Sequence, residues 1–355
     1  MSNPPVAATT VATADAPTGR IAQAMSRIEA GDVRTLSRAA TLIENGTADG
    51  VALLEHIYAR APAPWVIGFT GVGGAGKSTL VPRVASHFAR LGGKVAILAV
   101  DPSSPLSGGA VLGDRIRAGD QVHERIFFRS IASRGALGGL ATCVSDVIRL
   151  MSVGGYSVVL VETVGTGQAE VAIRDTAHSV VLVTAPGLGD EIQAMKAGVM
   201  EVVSLLVVNK SDREGAEDAL QTLQQAVGIG PQIGHHRRLH EGFNKAAGEF
   251  GDFWLPPVIK TMATTGEGID GLVTRLQEHR DFLDASGDFA RRNETRDRVR
   301  LQEHLRTLLL DSALSAARAD GTLDGVWLAL SSGRTDPIGA ARELAARVRW
   351  ADALG

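Results

Sequence analysis

Gly71-Val72-Gly73-Gly74-Ala75-Gly76-Lys77-Ser78-Thr79 is the stretch on which the fold turns. It matches G-x-x-x-x-G-K-[ST], a loop whose backbone N–H groups curl around the phosphates of a nucleotide. The run before it, Trp65-Val66-Ile67-Gly68-Phe69-Thr70, reads as a buried strand, and Leu80 to Leu91 reads as a helix. Strand, glycine-rich loop and helix are the context this chemistry requires. The helix N-terminus adds a partial positive charge where an anion would sit. Lys77 can reach the β- and γ-phosphates, and the Ser78 hydroxyl can ligate Mg²⁺. Gly71, Gly73, Gly74, Ala75, Gly76, Lys77, Ser78 and Thr79 are therefore the expected phosphate-binding residues.

Working outward, apolar runs alternate with helical patterns from residue 65 to about 280. The expected strands are 65–70, 94–100, 126–129, 157–162, 179–184, 203–208 and 257–260. Val158-Val159-Leu160-Val161 and Leu205-Leu206-Val207-Val208 are continuously apolar, as in a parallel sheet covered on both faces. Alternating strands and helices imply an α/β fold, doubly wound around a mainly parallel sheet, with ligands beyond the carboxyl ends of the strands. Residues 20–60 look helical: Ile21, Met25 and Ile28 share a face, as do Leu36, Ala39, Leu42 and Ile43, with Asn45-Gly46 as a turn. Beyond 285 the pattern is helical again. Asn293 to Leu310 carries a Leu301, Leu305, Leu308 stripe. A last helix starts at Asp336-Pro337, a cap followed by a first-turn proline, with Ile338, Ala341, Leu344 and Val348 on one face. Either stripe can pack on the α/β domain or on a second subunit. The expected organisation is a disordered tail over 1–17, a helical extension over 18–62, a P-loop domain over 63–284 and a helical dimerisation segment over 285–355.

Composition narrows the class. The chain has 355 residues, 45% hydrophobic and 21% charged, enough for a sizeable core. A net charge of −3 lacks the basic excess of a nucleic-acid binder. Cys143 is the one cysteine, which excludes an intramolecular disulfide and fits a reducing cytoplasm. No apolar run approaches a membrane span, and the Ala-, Thr- and Pro-rich start lacks the order of a signal peptide. A cytoplasmic protein without nucleic-acid or membrane partners is expected.

The chemistry-bearing residues follow the strand ends. Asn209-Lys210-Ser211-Asp212 forms N-K-x-D after the run 205–208. A carboxylate at Asp212 can accept from guanine N1–H and the 2-amino group. Adenine lacks both donors, so it would leave the carboxylate unpaired. Asn209 can bond the base and tie the loops together, and the Lys210 stem can lie over the ring. Thr261, Met262, Ala263 and Thr264 follow another strand and can supply backbone contacts to guanine O6. Glu162-Thr163-Val164-Gly165 ends the run 158–161 where most GTPases place D-x-x-G. A carboxylate there reaches Mg²⁺ directly or through water, and the Gly165 N–H can meet the γ-phosphate. Gln168 can orient the attacking water or simply begin a helix. Asp101 ends the run 95–100 and can join the Mg²⁺ shell, as can Asp114 in the glycine-rich stretch that follows. Arg129, Ser130, Ser133 and Arg134 sit where an arginine could offset γ-phosphate charge, though a solvated loop is the commoner outcome. His235-His236-Arg237-Arg238-Leu239-His240 reads as a solvated loop rather than a metal site, lacking clear partners.

With these residues in hand, the chain resembles the MeaB/ArgK-type GTPases, relatives of the human methylmalonic aciduria type A protein. The phrases that carry the resemblance are DPSSPLSGGAVLGDRIR at 101–117, RSIASRGALGGL at 129–140, VLVETVGTGQAE at 159–170, APGLGDEIQAMKAG at 185–198 and VVNKSD at 207–212. It spans about residues 20–350. The resemblance implies a GTPase chaperone that binds an adenosylcobalamin-dependent acyl-CoA mutase, gates cofactor loading, and protects or reactivates the mutase. It implies a homodimer joined through C-terminal elements, with GTP/GDP and Mg²⁺ bound. Residue by residue it supports Lys77 and Ser78 at the phosphates, Asp101, Asp114 and Glu162 around the metal, and Asn209 and Asp212 at guanine. Two departures, Thr166 for an expected Val and Ala136 for a common His, fall in expected switch segments and leave the client open. Methylmalonyl-CoA mutase and a relative acting on 2-hydroxyisobutyryl-CoA both remain candidates. A GTPase for metal insertion, a GTP-dependent kinase and a non-enzymatic GTP-binding module stand as alternatives. The first would call for Cys or His ligands near the switches or a His-rich tail, and Asn209-Lys210-Ser211-Asp212 argues for GTP over ATP and so against most kinases.

Overall fold

The computed structural model describes residues 19–58, 60, 62–101, 124–132, 139–163, 173, 176–188, 202–229 and 254–346. Asp114, Gly165, Gln168, Ser133, Arg134, Ala136, Thr166, Val348, the 1–17 tail and the histidine run 235–240 lie outside the described residues.

The apolar runs become seven strands: β1 (Trp65–Gly71), β2 (Val95–Asp101), β3 (Ile126–Ala132), β4 (Val158–Thr163), β5 (Ser179–Thr184), β6 (Leu205–Val208) and β7 (Val258–Lys260). They form one sheet in the order β3-β2-β4-β1-β5-β6-β7. Every pairing in it is parallel, so the sheet is wholly rather than mainly parallel. All residues of β1, β5 and β6 are buried, as their near-continuous apolar runs require, with Thr70, Ser179 and Thr184 the buried polar side chains among them.

Three helices precede the sheet: α1 (Gly19–Glu29), α2 (Val33–Glu44) and α3 (Ala48–Tyr58). Ile21, Met25, Ile28, Leu36, Ala39 and Ile43 are buried on their inner faces, while Leu42 is only partly covered. Asp32 caps α2 by accepting from the Arg34 and Thr35 N–H groups. The remaining helices are α4 (Lys77–Arg90), α5 (Gly139–Val153), α6 (Ala216–Ile229), α7 (Ile269–Ala285), α8 (Asp288–Ala319), α9 (Thr322–Ser331) and α10 (Pro337–Ala345). One core lies between one sheet face and α1, α2, α3, α5 and α6. A second lies between the opposite face and α4 and α7. The two-layer cover is what a fully apolar sheet demands. No described helix is long and apolar enough to cross a membrane.

Two expectations change. Helix α8 is far longer than 293–310, because it starts at the left-handed Gly287 (φ 72°) and runs to Asp320-Gly321. Its leucine stripe does not pack on the α/β domain: Leu301, Leu305 and Leu308 are 69%, 50% and 53% exposed. Trp327, Leu328 and Ile338 on α9 and α10 are also exposed, and Ala341 with them. Polar contacts seat α8 instead. Its Arg292 donates to the His178 carbonyl at 2.7 Å, and Arg300 donates to the Ser145 carbonyl at 2.7 Å. Asp336 does cap α10, accepting from the Ile338 and Gly339 N–H groups with Pro337 in the first turn.

Candidate functional site

The sheet order places β1 between β4 and β5: the chain runs from β1 to β2 on one side and later crosses from β4 to β5 on the other, so a crevice opens at the carboxyl end of β1. Gly71 closes β1 in that crevice with φ 135°, opposite Val183 of β5. A Cβ there would fall 2.0 Å from the Val183 carbonyl oxygen, so no other residue can end this strand without moving its neighbour. The loop 72–76 then leads into α4. Gly76, left-handed at φ 90°, is the N-cap and offers no side chain to the first-turn N–H groups. Those groups are the donors that a helix start offers to an anion. Lys77 is 7% exposed and folds back along the loop: Nζ donates to the Gly71 carbonyl at 2.6 Å and the Val72 carbonyl at 3.0 Å. Gly73, Gly74, Ser78 and Thr79 are exposed at the same rim, and Ala75 is buried beneath it.

The N-K-x-D turn is bolted to this loop. Asn209 follows β6, is 2% exposed, and donates through its backbone N–H to the Thr184 carbonyl at 2.8 Å. Its side-chain Nδ2 donates to the Ala75 carbonyl at 2.8 Å. Its Oδ1 accepts from the Thr261 hydroxyl at 3.2 Å and the Ala263 N–H at 3.1 Å. One amide thus joins the ends of β6 and β7 to the phosphate loop. Lys210 has φ 57°, the one positive-φ non-glycine among the described residues. That left-handed conformation is costly for a long side chain and tends to mark functional turns. It turns the lysine so that Nζ reaches the Gly74 carbonyl at 2.6 Å. Asp212 is exposed just beyond, where the Ser211 N–H donates to the Thr261 carbonyl at 3.2 Å.

The segment after β7 folds into a tight turn. The Thr261 N–H donates to the Val208 carbonyl and the Met262 N–H to the Glu267 carbonyl, at 2.9 and 3.0 Å. Three successive backbone donors, those of Thr261, Met262 and Ala263, are therefore engaged within the protein. Arg83 of α4 reaches the far side of this turn, donating to the Thr264 carbonyl at 2.9 Å. Sequence reasoning missed Arg83, because nothing in a helix pattern says which loop a surface arginine meets.

On the other flank, Asp101 is the last residue of β2 and Glu162 the last but one of β4. The two strands are adjacent, with Ala99 level with Glu162 and Val100 level with Thr163. Glu162 is half-buried and level with Phe69 of β1. The exposed Ser78 hydroxyl and the Glu162 carboxylate are hard oxygen donors, the kind Mg²⁺ selects.

Arg129 is corrected by the structure. Strand β3 continues to Ala132, so Arg129 and Ser130 lie inside it rather than in a loop. The Arg129 guanidinium turns to α2, donating to the Ser37 carbonyl at 3.2 Å, the Thr41 hydroxyl at 3.1 Å and the Glu44 carboxylate at 2.5 Å. It braces the helical extension and does not face the crevice.

Comparison with known proteins agrees with this geometry. A family model described as methylmalonyl Co-A mutase-associated GTPase MeaB matches residues 36–318. A putative GTPase of Pyrococcus horikoshii is 40% identical over 292 residues, 81% of this chain and 86% of that one. The GTPase ArgK of Escherichia coli is 33% identical over 272 residues, 75% of this chain and 78% of that one. Among solved structures, one described as LAO/AO transport system kinase superposes with a TM-score of 0.59 at 24% identity, covering 91% of this chain and 96% of that one. That likeness speaks to the fold alone.

Proposed function

Because the chain belongs to the family of methylmalonyl-CoA mutase-associated GTPases, matched over residues 36–318, we propose that it is a GTP-hydrolysing chaperone. Its client is an adenosylcobalamin-dependent acyl-CoA mutase, methylmalonyl-CoA mutase or a close relative. The GTPase gates cofactor loading and protects or reactivates that enzyme. The observation that carries the GTP reading is the Asn209 tether from the N-K-x-D turn to the Ala75 carbonyl of the phosphate loop. It links the turn that would read the base to the loop that would hold the phosphates, which supports the reading.

Within this reading the first turn of α4 and the loop 71–79 bind the phosphates, and the Lys77 ammonium exchanges its loop carbonyls for β- and γ-phosphate oxygens. Asp212 accepts from guanine N1–H and the 2-amino group. The O6 donor is the Ala263 N–H, shared with Asn209, or the Thr264 N–H beyond it. Ser78 and Glu162, with Asp101 and Asp114, hold Mg²⁺, which when bound offsets the charge of the phosphate oxygens. Water attacks the γ-phosphorus in line, and the oxygen bridging to the β-phosphate leaves with GDP. Gln168 orients the water and the Gly165 N–H meets the γ-phosphate. Lys77 offsets charge that grows in the transition state, and positioning supplies most of the rate.

The family description supports the mutase partner. The exposed Leu301, Leu305, Leu308, Trp327, Leu328 and Ile338 support a homodimer closed over the C-terminal helices, since such side chains otherwise face water. The test is phosphate release from GTP by the purified chain, alone and with the mutase, beside gel filtration of the mixture. Release should rise with the mutase, the pair should co-elute, and Lys77→Ala should drop release at least ~100-fold. A rate indifferent to every acyl-CoA mutase, with no complex, overturns the chaperone reading. Release that survives Lys77→Ala overturns the site.

A further inference from the structure

The turn that follows β7 is closed at its neck and held from two sides. The neck is the Met262–Glu267 bridge, next to Gly268. A Cβ on Gly268 would fall 2.2 Å from the Lys260 carbonyl oxygen, so the chain is pinched there with no room to spread. Inside the turn, the Thr265 and Gly266 N–H groups donate to the Met262 carbonyl at 3.2 and 2.8 Å. From one side Asn209 and Ser211 hold its first residues, Thr261 and Ala263. From the other side the reach to its tip is made by Arg83, whose guanidinium meets the Thr264 carbonyl at 2.9 Å.

Arg83 lies six residues after Lys77 on the same helix, about 9 Å along the axis. Helix α4 therefore carries the phosphate lysine at its start and a strap to the base turn further along. One turn beyond Arg83, the His87 imidazole meets the Asp270 carboxylate of α7 at 2.8 Å. Below both, Leu80, Val81 and Val84 share a core with Ile269, Leu272 and Leu276. Packing fixes how α4 sits against α7. It does not fix the tip of the exposed turn, where Thr264 and Thr265 have no apolar anchor and face solvent. The Thr265 N–H and hydroxyl close the turn on its own Met262 carbonyl, and the bond from the charged Arg83 donor to the Thr264 carbonyl ties that closed tip to another element.

We infer that Arg83 is a positioning residue for base recognition. It pins the Thr264–Thr265 peptide to the phosphate-binding helix, so that the 261–264 turn meets the guanine edge in one fixed orientation. The inference rests on the guanine reading above. It assigns no contact between Arg83 and the nucleotide. Its effect is specific to the base, because adenine lacks the O6 acceptor to which this turn would donate.

The experiment is competition of GDP and ADP against a fluorescent GDP analogue, for the wild-type chain, Arg83→Met and Arg83→Lys. Methionine keeps the apolar stem and removes the donor, and lysine restores one donor. Arg83→Met should weaken GDP by roughly 3- to 10-fold, the worth of one hydrogen bond at a partly exposed site, and leave ADP unchanged. The preference for guanine then falls by the same factor, with Arg83→Lys in between. Damage to the shared phosphate loop would scale both nucleotides together, so an unchanged ratio overturns the inference whatever the absolute affinities. A wild-type chain that does not prefer GDP to ADP instead overturns the guanine reading itself.

Discussion

Asn209 commits both ends of its amide to the protein, and the consequence is felt at Gly76. A Cβ on Gly76 would fall 2.5 Å from the Asn209 Nδ2, and its φ of 90° is one that side-chain-bearing residues avoid. That glycine is therefore required by the tether as much as by the phosphates. Asp212 is different, because it is exposed and close to no described partner that would hold it for structural reasons. The proposed guanine site gives it a role, accepting from the base. Asp212→Asn should cost GTP roughly 100-fold in affinity while improving xanthosine triphosphate, since the swap reverses donor and acceptor. Equilibrium titration with both nucleotides checks this, and unchanged GTP affinity sinks the guanine assignment. At this scale the placement of the glycines at the end of β1 and of Asn209 after β6 was legible in advance, because such residues at fixed spacing report local backbone geometry. Arg129 was not. Its three acceptors lie on α2, some 85 to 92 positions away in the chain, and no local pattern points there.

Helix α2 and strand β3 show what that arginine does for its elements. The Arg129–Glu44 pair is mostly shielded, with side chains 15% and 12% exposed, so each charge depends on the other. Arg129→Met should lower unfolding free energy by about 2–3 kcal/mol in urea, from the lost charged hydrogen bonds and the stranded carboxylate. Adding Glu44→Gln should recover part of it. GTP hydrolysis should be untouched wherever the chain stays folded. An intact stability with lost hydrolysis would return Arg129 to the γ-phosphate. The expected strands match within a residue or two, apart from β3, because continuous apolar runs are a strong signal of a doubly covered parallel sheet. Helix α8 was read short. The leucine stripe marks only its exposed middle, and the turns that seat it are arginine-rich and look like any solvated helix.

Across the whole molecule, α8 is joined to the α/β domain at His178, on the amino side of β5 and away from the nucleotide crevice. The buried ring accepts the Val66 N–H at Nδ1 (3.0 Å), and its Nε2 lies 2.9 Å from the Asn293 Oδ1 and 2.8 Å from an Arg296 guanidinium nitrogen. It stacks on Phe289 at 4.1 Å between centroids. Burial first, then the Arg296 guanidinium with Arg292 and Arg280, hold its pKa well below the usual 6.5. The folded protein thus binds fewer protons at this site than the unfolded chain. The stability it represents is complete above about pH 6.5 and is lost as pH falls below that value, by at most ~1.4 kcal/mol per pH unit. His304 acts with the opposite sign. The Asp146 carboxylate, 3.6 Å from its ring, raises its pKa, so its contribution is complete below 6.5 and fades as pH climbs through the raised value. Urea titrations between about pH 5 and 7 should show a shallower acid loss in His178→Gln than in wild type, and equal slopes would refute the buried neutral ring. By itself, the sequence determined the parallel sheet, the glycine-rich loop and the N-K-x-D turn after β6, since each depends on residues close together in the chain and on short-range backbone physics. Which way Arg129 and Arg83 turn, that the α8 stripe stays uncovered, and that one asparagine binds the phosphate loop to the base site were decided only by the tertiary structure. Those outcomes depend on long-range packing, where the partner of a polar side chain is whichever group the fold brings within hydrogen-bond reach.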